Sequence, residues 1–195
     1  MAGIVAVGLI FGGKDKEMES MMRLQVLRKQ PNARMCFVCG LENAFGLHSR
    51  FYELENGELL ALFTPRQEHQ GYPGRLHGGL AASILDETIG RAIMIRSAGD
   101  IWGVTIDFSA RYRQPAPLDE EIRVIARIES DGKRIFEGSG EILLADGSVA
   151  IEGKGKYLRM PIDKIADFDH EGDEWRCLAE ASDPVSVVLP ERRKD

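Results

Sequence analysis

Residues 75–88 read RLHGGLAASILDET, a His-Gly-Gly turn opening a long apolar segment, with two adjacent acids, Asp86 and Glu87, placed two turns later. A helix that only filled a core would carry Ala or Leu at those two positions. The apolar periodicity predicts a helix from Gly79 to Ser97, roughly 28 Å long at about 1.5 Å per residue. Around its axis Ala81, Ala82, Ile84, Leu85, Thr88, Ile89, Ala92, Ile93 and Ile95 gather on one broad arc, which is assigned to a covering sheet. Asp86 falls at the edge of that arc. Just beyond it lies a row of small residues, Ser83, Gly90 and Ser97, that would let another backbone approach closely. Glu87 falls further round, near Leu80 and Arg91, on the side expected to face solvent.

The sheet is written in the rest of the chain. Asn56-Gly57, Asp131-Gly132 and Asp146-Gly147 each supply the positive φ angles of a two-residue hairpin turn. Strands are predicted over about 47–54, 58–64, 101–113, 121–130, 133–144 and 148–159. In EIRVIARIE, Ile122, Val124, Ala126 and Ile128 alternate with Glu121, Arg123 and Arg127, the period of a sheet with one covered face. The order is an α+β domain, a curved antiparallel sheet of about six strands wrapped around one long central helix, Gly79 to Ser97. Residues 36–160 form this domain. Residues 1–35 read as an arm with a short helix over 14–30 that stops before Pro31, and 161–195 as an acidic C-terminal extension.

Composition narrows the function. With 195 residues, 44% of them hydrophobic, the chain can bury one core, and a net charge of −6 argues against nucleic acid as a partner. The apolar run at the N-terminus is well short of the roughly 20 residues a membrane-spanning helix needs, and no basic region precedes it as in a signal peptide. Three cysteines fit a reduced, cytoplasmic protein. Gly8, Gly13 and Lys14 have the spacing of a phosphate-binding loop, but Asp15 stands where the metal-binding hydroxyl belongs. Cys36 and Cys39 form a C-x-x-C. Together with His48 and Cys177 they lack the second pair of a structural zinc site, and no βαβ unit surrounds them as in a redox motif. Loop packing is therefore expected for them, with no metal.

The segment HGGLAASILDE, together with the later TIDFSARYRQPAPLDEEI, resembles the hotdog-fold acyl-CoA thioesterases of the phenylacetic-acid-degradation (PaaI-like) type. The likeness covers roughly residues 36–160. It implies hydrolysis of an acyl-CoA thioester to acid and coenzyme A, with no cofactor, since coenzyme A is part of the substrate. By the same resemblance the Gly78 amide binds the thioester carbonyl, Asp86 assists attack, and Thr105, ten residues before Pro115, assists the acid. Many relatives carry Asn or Gln where this chain has Gly71; Gln70 and His69 are adjacent. His77 either caps the helix or acts directly, and Gly79 would lie against the substrate. Arg111 and Arg113, with Arg75 and Arg91 near the helix, would suit the coenzyme A phosphates. A non-catalytic acyl-CoA or fatty-acid binding module on the same fold is the alternative. A hydratase would need an Asp and a His together on another loop, a pairing that His48, His69 and His170 do not suggest.

The chemistry agrees with the resemblance. A helix N-terminus presents unpaired N–H groups and partial positive charge, which suits an oxyanion. A carboxylate can then act as base on water or as nucleophile. Yet eight residues of helix separate Gly78 from Asp86 by about 12 Å, beyond hydrogen-bond reach. One copy cannot supply both groups to one carbonyl. A homodimer with the site in its interface is therefore expected, alone or as a dimer of dimers.

Overall fold

The computed structural model describes residues 21–97, 100–166 and 174–190. The Gly8-to-Asp15 motif, the first part of the segment read as a helix, and the acidic run 167–173 lie outside the described residues. The chain forms β1 (Met21–Lys29), β2 (Asn32–Ala33), β3 (Arg50–Leu54), β4 (Leu59–Phe63), α1 (Gly78–Arg91) and α2 (Ile93–Ser97). After the helices come β5 (Ile101–Tyr112), β6 (Ile122–Asp131), β7 (Ile135–Leu143), β8 (Val149–Pro161), β9 (Trp175–Arg176) and β10 (Ser186–Pro190). This is the hotdog fold, α+β, with the central helix lying on an antiparallel sheet. Among the described residues no helix is long and apolar enough to cross a membrane.

Among the described residues the sheet has eight strands, in the order β10-β1-β3-β4-β6-β7-β8-β5. The six expected strands are all present. The two additional ones come from the flanking segments: β1 pairs with β3 on one side and with β10 on the other. The short helix expected over 14–30 is thus, from Met21 onward, a strand. Its residues are good helix formers, but pairing on both edges satisfies its backbone and buries Leu24, and tertiary context overrides propensity. Gly57 and Gly147 have the positive φ of their turns, 81° and 84°. Gly132 does not: the β6–β7 connection runs over three residues and is closed by Gly132 N–H donating to the Ile135 carbonyl at 3.0 Å.

The helix expected as one piece is two. The Thr88 hydroxyl donates back to the Ile84 carbonyl at 2.6 Å, a contact that bends helices, and the Ala92 N–H reaches only to Ile89. Ile84, Leu85, Ile89, Ala92 and Ile93 of the predicted arc are fully buried. Of the small-residue row, Gly90 is already covered within the chain. Gly90 lies against the Tyr157 ring and against Gly103 of β5, where a Cβ would stand 2.8 Å from the Gly90 carbonyl oxygen.

Ile89 sets how deep α1 sits. It lies over a strip of sheet without side chains, made by Gly138 and Gly140 of β7 and Gly153 of β8. A Cβ on Gly138 would stand 2.6 Å from Ile89 Cγ2 and 2.7 Å from the Arg127 carbonyl oxygen. Gly138→Ala is therefore expected to destabilise the protein by about 1–3 kcal/mol through overpacking. Urea unfolding checks this, and parental stability would show that the strip does not clamp the helix.

Candidate active site

The loop 65–77 positions the helix start. His69 is buried, with Nδ1 accepting from the Arg66 N–H at 2.9 Å and Nε2 3.1 Å from the Phe45 carbonyl. Both ring nitrogens are thereby committed to loop structure. Gln70 Oε1 accepts from the Gly74 N–H at 2.9 Å, and Gln70 pairs with Leu76 across the loop. Gly71 has a steric reason to be glycine, because a Cβ there would lie 2.9 Å from His77 Cα. An Asn or Gln at this position would displace the loop.

His77 is the N-cap of α1. Its Nδ1 accepts from the Gly79 N–H at 3.0 Å, satisfying one of the helix's free donors. The Gly78 N–H has no acceptor among the described residues and sits at the first helical position. The Gly78 carbonyl accepts from Tyr112 Oη at 2.7 Å, tying the helix start to β5. Sequence reasoning passed over Tyr112.

At the other end, Asp86 meets two strands. Thr105 Oγ1 lies 2.9 Å from Asp86 Oδ1 and 3.1 Å from Oδ2, and Tyr157 Oη donates to Oδ1 at 3.0 Å. Thr105 and Tyr157 are cross-strand partners on β5 and β8, beside a bulge between Thr105 and Asp107 that turns the strand. Tyr157 was not anticipated; only its place in an alternating strand hinted that it faces inward. Its ring folds over Gly155, where a Cβ would be 2.4 Å from Oη, and stacks on Phe136 with centroids 5.0 Å apart.

Burial pushes the Asp86 carboxyl above its ordinary range. The Thr105 and Tyr157 hydrogen bonds oppose this and the Glu87 charge adds to it. Burial and the Asp86 carboxylate push the Tyr157 phenol up, so it remains a proton donor.

Other expected residues fall elsewhere. Glu87 is not on a solvated face: it is half-buried and accepts from Arg91 Nε at 2.8 Å. Arg91 is no partner for phosphates, because its guanidinium is buried, donating to the Pro31 carbonyl and lying 4.4 Å from the Phe51 ring centroid. Arg113 is exposed and clamps Glu152 with two bonds of 2.8 and 2.9 Å, while Arg111 is exposed on β5. Cys36 and Cys39 do not assemble with His48 or Cys177. Their sulfurs and the Glu87 carboxylate lie within 4.8 Å of one another, the one such donor group among the described residues. A cavity of about 350 Å³ lined by Cys39, Leu47, His48, Arg50 and Arg66 includes neither Gly78 nor Asp86.

Residues 73–151 match the family model described as the thioesterase superfamily. Human acyl-coenzyme A thioesterase 13 is 29% identical over 99 residues, which are 50% of this chain and 70% of the relative. The crystal structure of a thioesterase superfamily protein superposes with a TM-score of 0.58 at 32% identity, over 64% of this chain and 63% of that one. The Escherichia coli PaaI protein from the phenylacetic acid degradation operon shares the fold, with a TM-score of 0.53 at 17% identity over 58% of this chain and 80% of that one.

A carboxyl whose pKa is raised on folding favours the folded state only where it is protonated. Its ionisation therefore costs stability as pH rises past the ordinary carboxylate value of 3.8. Asp86→Asn should unfold at a higher temperature than the parent at pH 7, with the gap closing toward pH 4. A melting series across pH checks this; a lower midpoint at pH 7 would show that the carboxylate is a net stabiliser.

Proposed function

From the match of residues 73–151 to the thioesterase superfamily and the likeness to acyl-CoA thioesterases, we propose that this chain hydrolyses an acyl-CoA thioester at a site shared between two copies. The Gly78 N–H donates to the thioester carbonyl oxygen, and Asp86 of the other copy activates the attacking water. The observation that carries this reading is the pairing of an acceptor-free amide at the first helical position with a half-buried carboxylate held by Thr105 and Tyr157 on the same helix. The amide offers a partial positive charge to the oxyanion that forms as the thioester is attacked, worth about 3 kcal/mol of barrier. The carboxyl, raised by burial, is a stronger base than an ordinary aspartate, and base assistance contributes about 10²- to 10⁴-fold. The product pair is a carboxylic acid and coenzyme A.

The helix itself supports the two-copy arrangement. The amide and the carboxylate stand about 12 Å apart along one axis, so a carbonyl near one is out of reach of the other. β5 offers the second copy a place to dock. It is an edge strand of 12 residues with β8 on one side and no neighbour on the other among the described residues. Ile106 and Tyr112 on it are 54% and 52% exposed. Long apolar edges of this kind are templates for pairing with another chain. Docking along β5 would lie beside Thr105 and beside Tyr112, at the two ends of the proposed site. Gln70, Gly71 and Gly79 would border the thioester, and Arg111 is better disposed than the ion-paired Arg113 to meet coenzyme A phosphates.

Asp86→Asn is expected to lower thiol release from an acyl-CoA panel by at least 10²-fold. Gly78→Pro removes the amide hydrogen at a helix position that tolerates proline, and should cost about 10²- to 10³-fold in kcat. Mixing the two inactive variants and letting subunits exchange should restore about one quarter of parental sites, because half of random dimers are mixed and each has one intact site. No recovery would place both groups within one chain. Parental turnover by Asp86→Asn would remove it from the reaction, and binding without turnover by the parent would favour the non-catalytic module.

Tyr157→Phe removes a hydrogen bond that favours the ionised carboxylate. The acid limb of kcat against pH should therefore move to higher pH, with kcat at pH 8 changed less than at pH 6. An unmoved limb would mean that the limb does not report Asp86.

A further inference from the structure

The turn Cys36–Gly40 is unused by the hydrolytic site. It is closed by the Gly40 N–H donating to the Cys36 carbonyl at 2.8 Å. Position 40 must be glycine, because a Cβ would stand 2.2 Å from that carbonyl oxygen. The turn aims two backbone donors at the Cys36 sulfur: the N–H of Val38 at 3.3 Å and of Cys39 at 3.5 Å. The Cys39 sulfur is fully buried and accepts from the Ala33 N–H at 3.4 Å and from Arg91 Nη2 at 3.2 Å. Cys36 is half-buried, so only one of the two sulfurs meets solvent. Neither is bonded to the other.

This donor set suits a metal poorly. A tetrahedral soft-metal site wants four ligands, and Cys36, Cys39 and Glu87 are three. Two of the three already carry bonds from the Arg91 guanidinium, so a dication would enter beside a fixed, buried positive charge. The same arrangement suits a thiolate. Hydrogen bonding from Cys39 leads the effects that lower the Cys36 thiol to about 7, with the backbone N–H groups adding to it and burial and Glu87 opposing. Cys39 is pushed up and keeps the proton of the pair.

We propose that Cys36 and Cys39 are a redox-active dithiol, with Cys36 the attacking thiolate and Cys39 the resolving thiol. The pair closes to an intramolecular disulfide on meeting a low-molecular-weight disulfide of the glutathione kind. The Cys36 thiolate attacks one sulfur of the small disulfide, forming a mixed disulfide and expelling one thiolate, which takes the Cys39 proton. The Cys39 thiolate then attacks the Cys36 sulfur, forming the Cys36–Cys39 bond and expelling the second small thiol after protonation by water. Two electrons pass from the protein pair to the oxidant. The proposal is independent of the hydrolytic reading.

The test uses the full chain carrying Cys177→Ser, which removes the exposed third cysteine. Iodoacetamide labelling against pH should show one thiol with a midpoint near pH 7, absent in Cys36→Ser. Oxidised glutathione should remove both thiols, with intact mass falling by two hydrogens and no glutathione retained, whereas Cys39→Ser should hold one glutathione on Cys36. The labelling and mass measurements on the Cys177→Ser chain need no further variant to fold. Labelling only with the ordinary thiol midpoint of about 8.5 would overturn the proposal. So would glutathione retained while both cysteines are present, or an equivalent of zinc in the purified protein that shields both thiols.

Discussion

One contact sets the depth of the central helix, and most of the molecule follows from that depth. Ile89 of α1 seats on Gly138, Gly140 and Gly153, three positions where the sheet presents backbone alone. Interiors are packed to crystal-like density, so a methyl at Gly138 or Gly140 would press on the helix rather than be absorbed. At this depth the side of α1 toward β5 and β8 brings Asp86 within reach of Thr105 and Tyr157 together. The other side carries Arg91 down among Phe51, Trp102 and Trp175, and Glu87 with it. A shallower helix would leave Asp86 in water and Arg91 on the surface.

The two neighbouring acids receive opposite electrostatic treatment, and that difference bears on what each can do. Glu87 faces a guanidinium, with Arg91 Nε donating to its carboxylate at 2.8 Å. Asp86 faces two hydroxyl groups and no cation within hydrogen-bond distance among the described residues. Hydroxyls orient a carboxylate and stabilise it modestly without cancelling its charge, so burial still wins and the group stays basic. An Arg or Lys in place of Thr105 would hold Asp86 more firmly and make it a poorer base, lowering its pKa by about 1–3 units. Gly90 and Gly155 add to the arrangement by making room for the Tyr157 ring, which carries one of the two hydroxyls.

Much of this was legible because it depends on local pattern. The period of EIRVIARIE, the glycines of two hairpin turns and the apolar arc of residues 81–93 each report a face that must be covered, and the observed elements follow them. The roles of Gly78 and Asp86 come from the resemblance, and counting residues fixes only that the two stand at different levels of one helix. What escaped depends on distant partners. Met21–Lys29 carries good helix formers and became a strand because β3 and β10 offer it two edges, which its own sequence does not announce. The sequence offers Arg91 as a partner for coenzyme A phosphates, since nothing local reveals that aromatic rings from β3, β5 and β9 surround it. Tyr157 looked like one more alternating residue; its use of Asp86 exists only across the sheet.

The surroundings of Gly90 bear on how two copies would meet. Gly90 was expected to face a neighbouring helix, but it faces Gly103 and Tyr157 of its own sheet, so the backbone approach its size allows is already taken within the chain. That removes helix-against-helix packing at Gly90 as the basis of association and shifts the argument to β5. An antiparallel pairing along that strand about a twofold axis would carry each copy's helix start toward the other copy's Asp86, because α1 crosses β5 with Tyr112 bound at one end and Thr105 near the middle. The same strand would then serve three purposes: tying down the helix start through the Gly78 carbonyl, orienting the carboxylate, and bringing amide and carboxylate into one pocket. The distance that forbids a single-chain site would thus be spanned by the strand that already holds both of its ends.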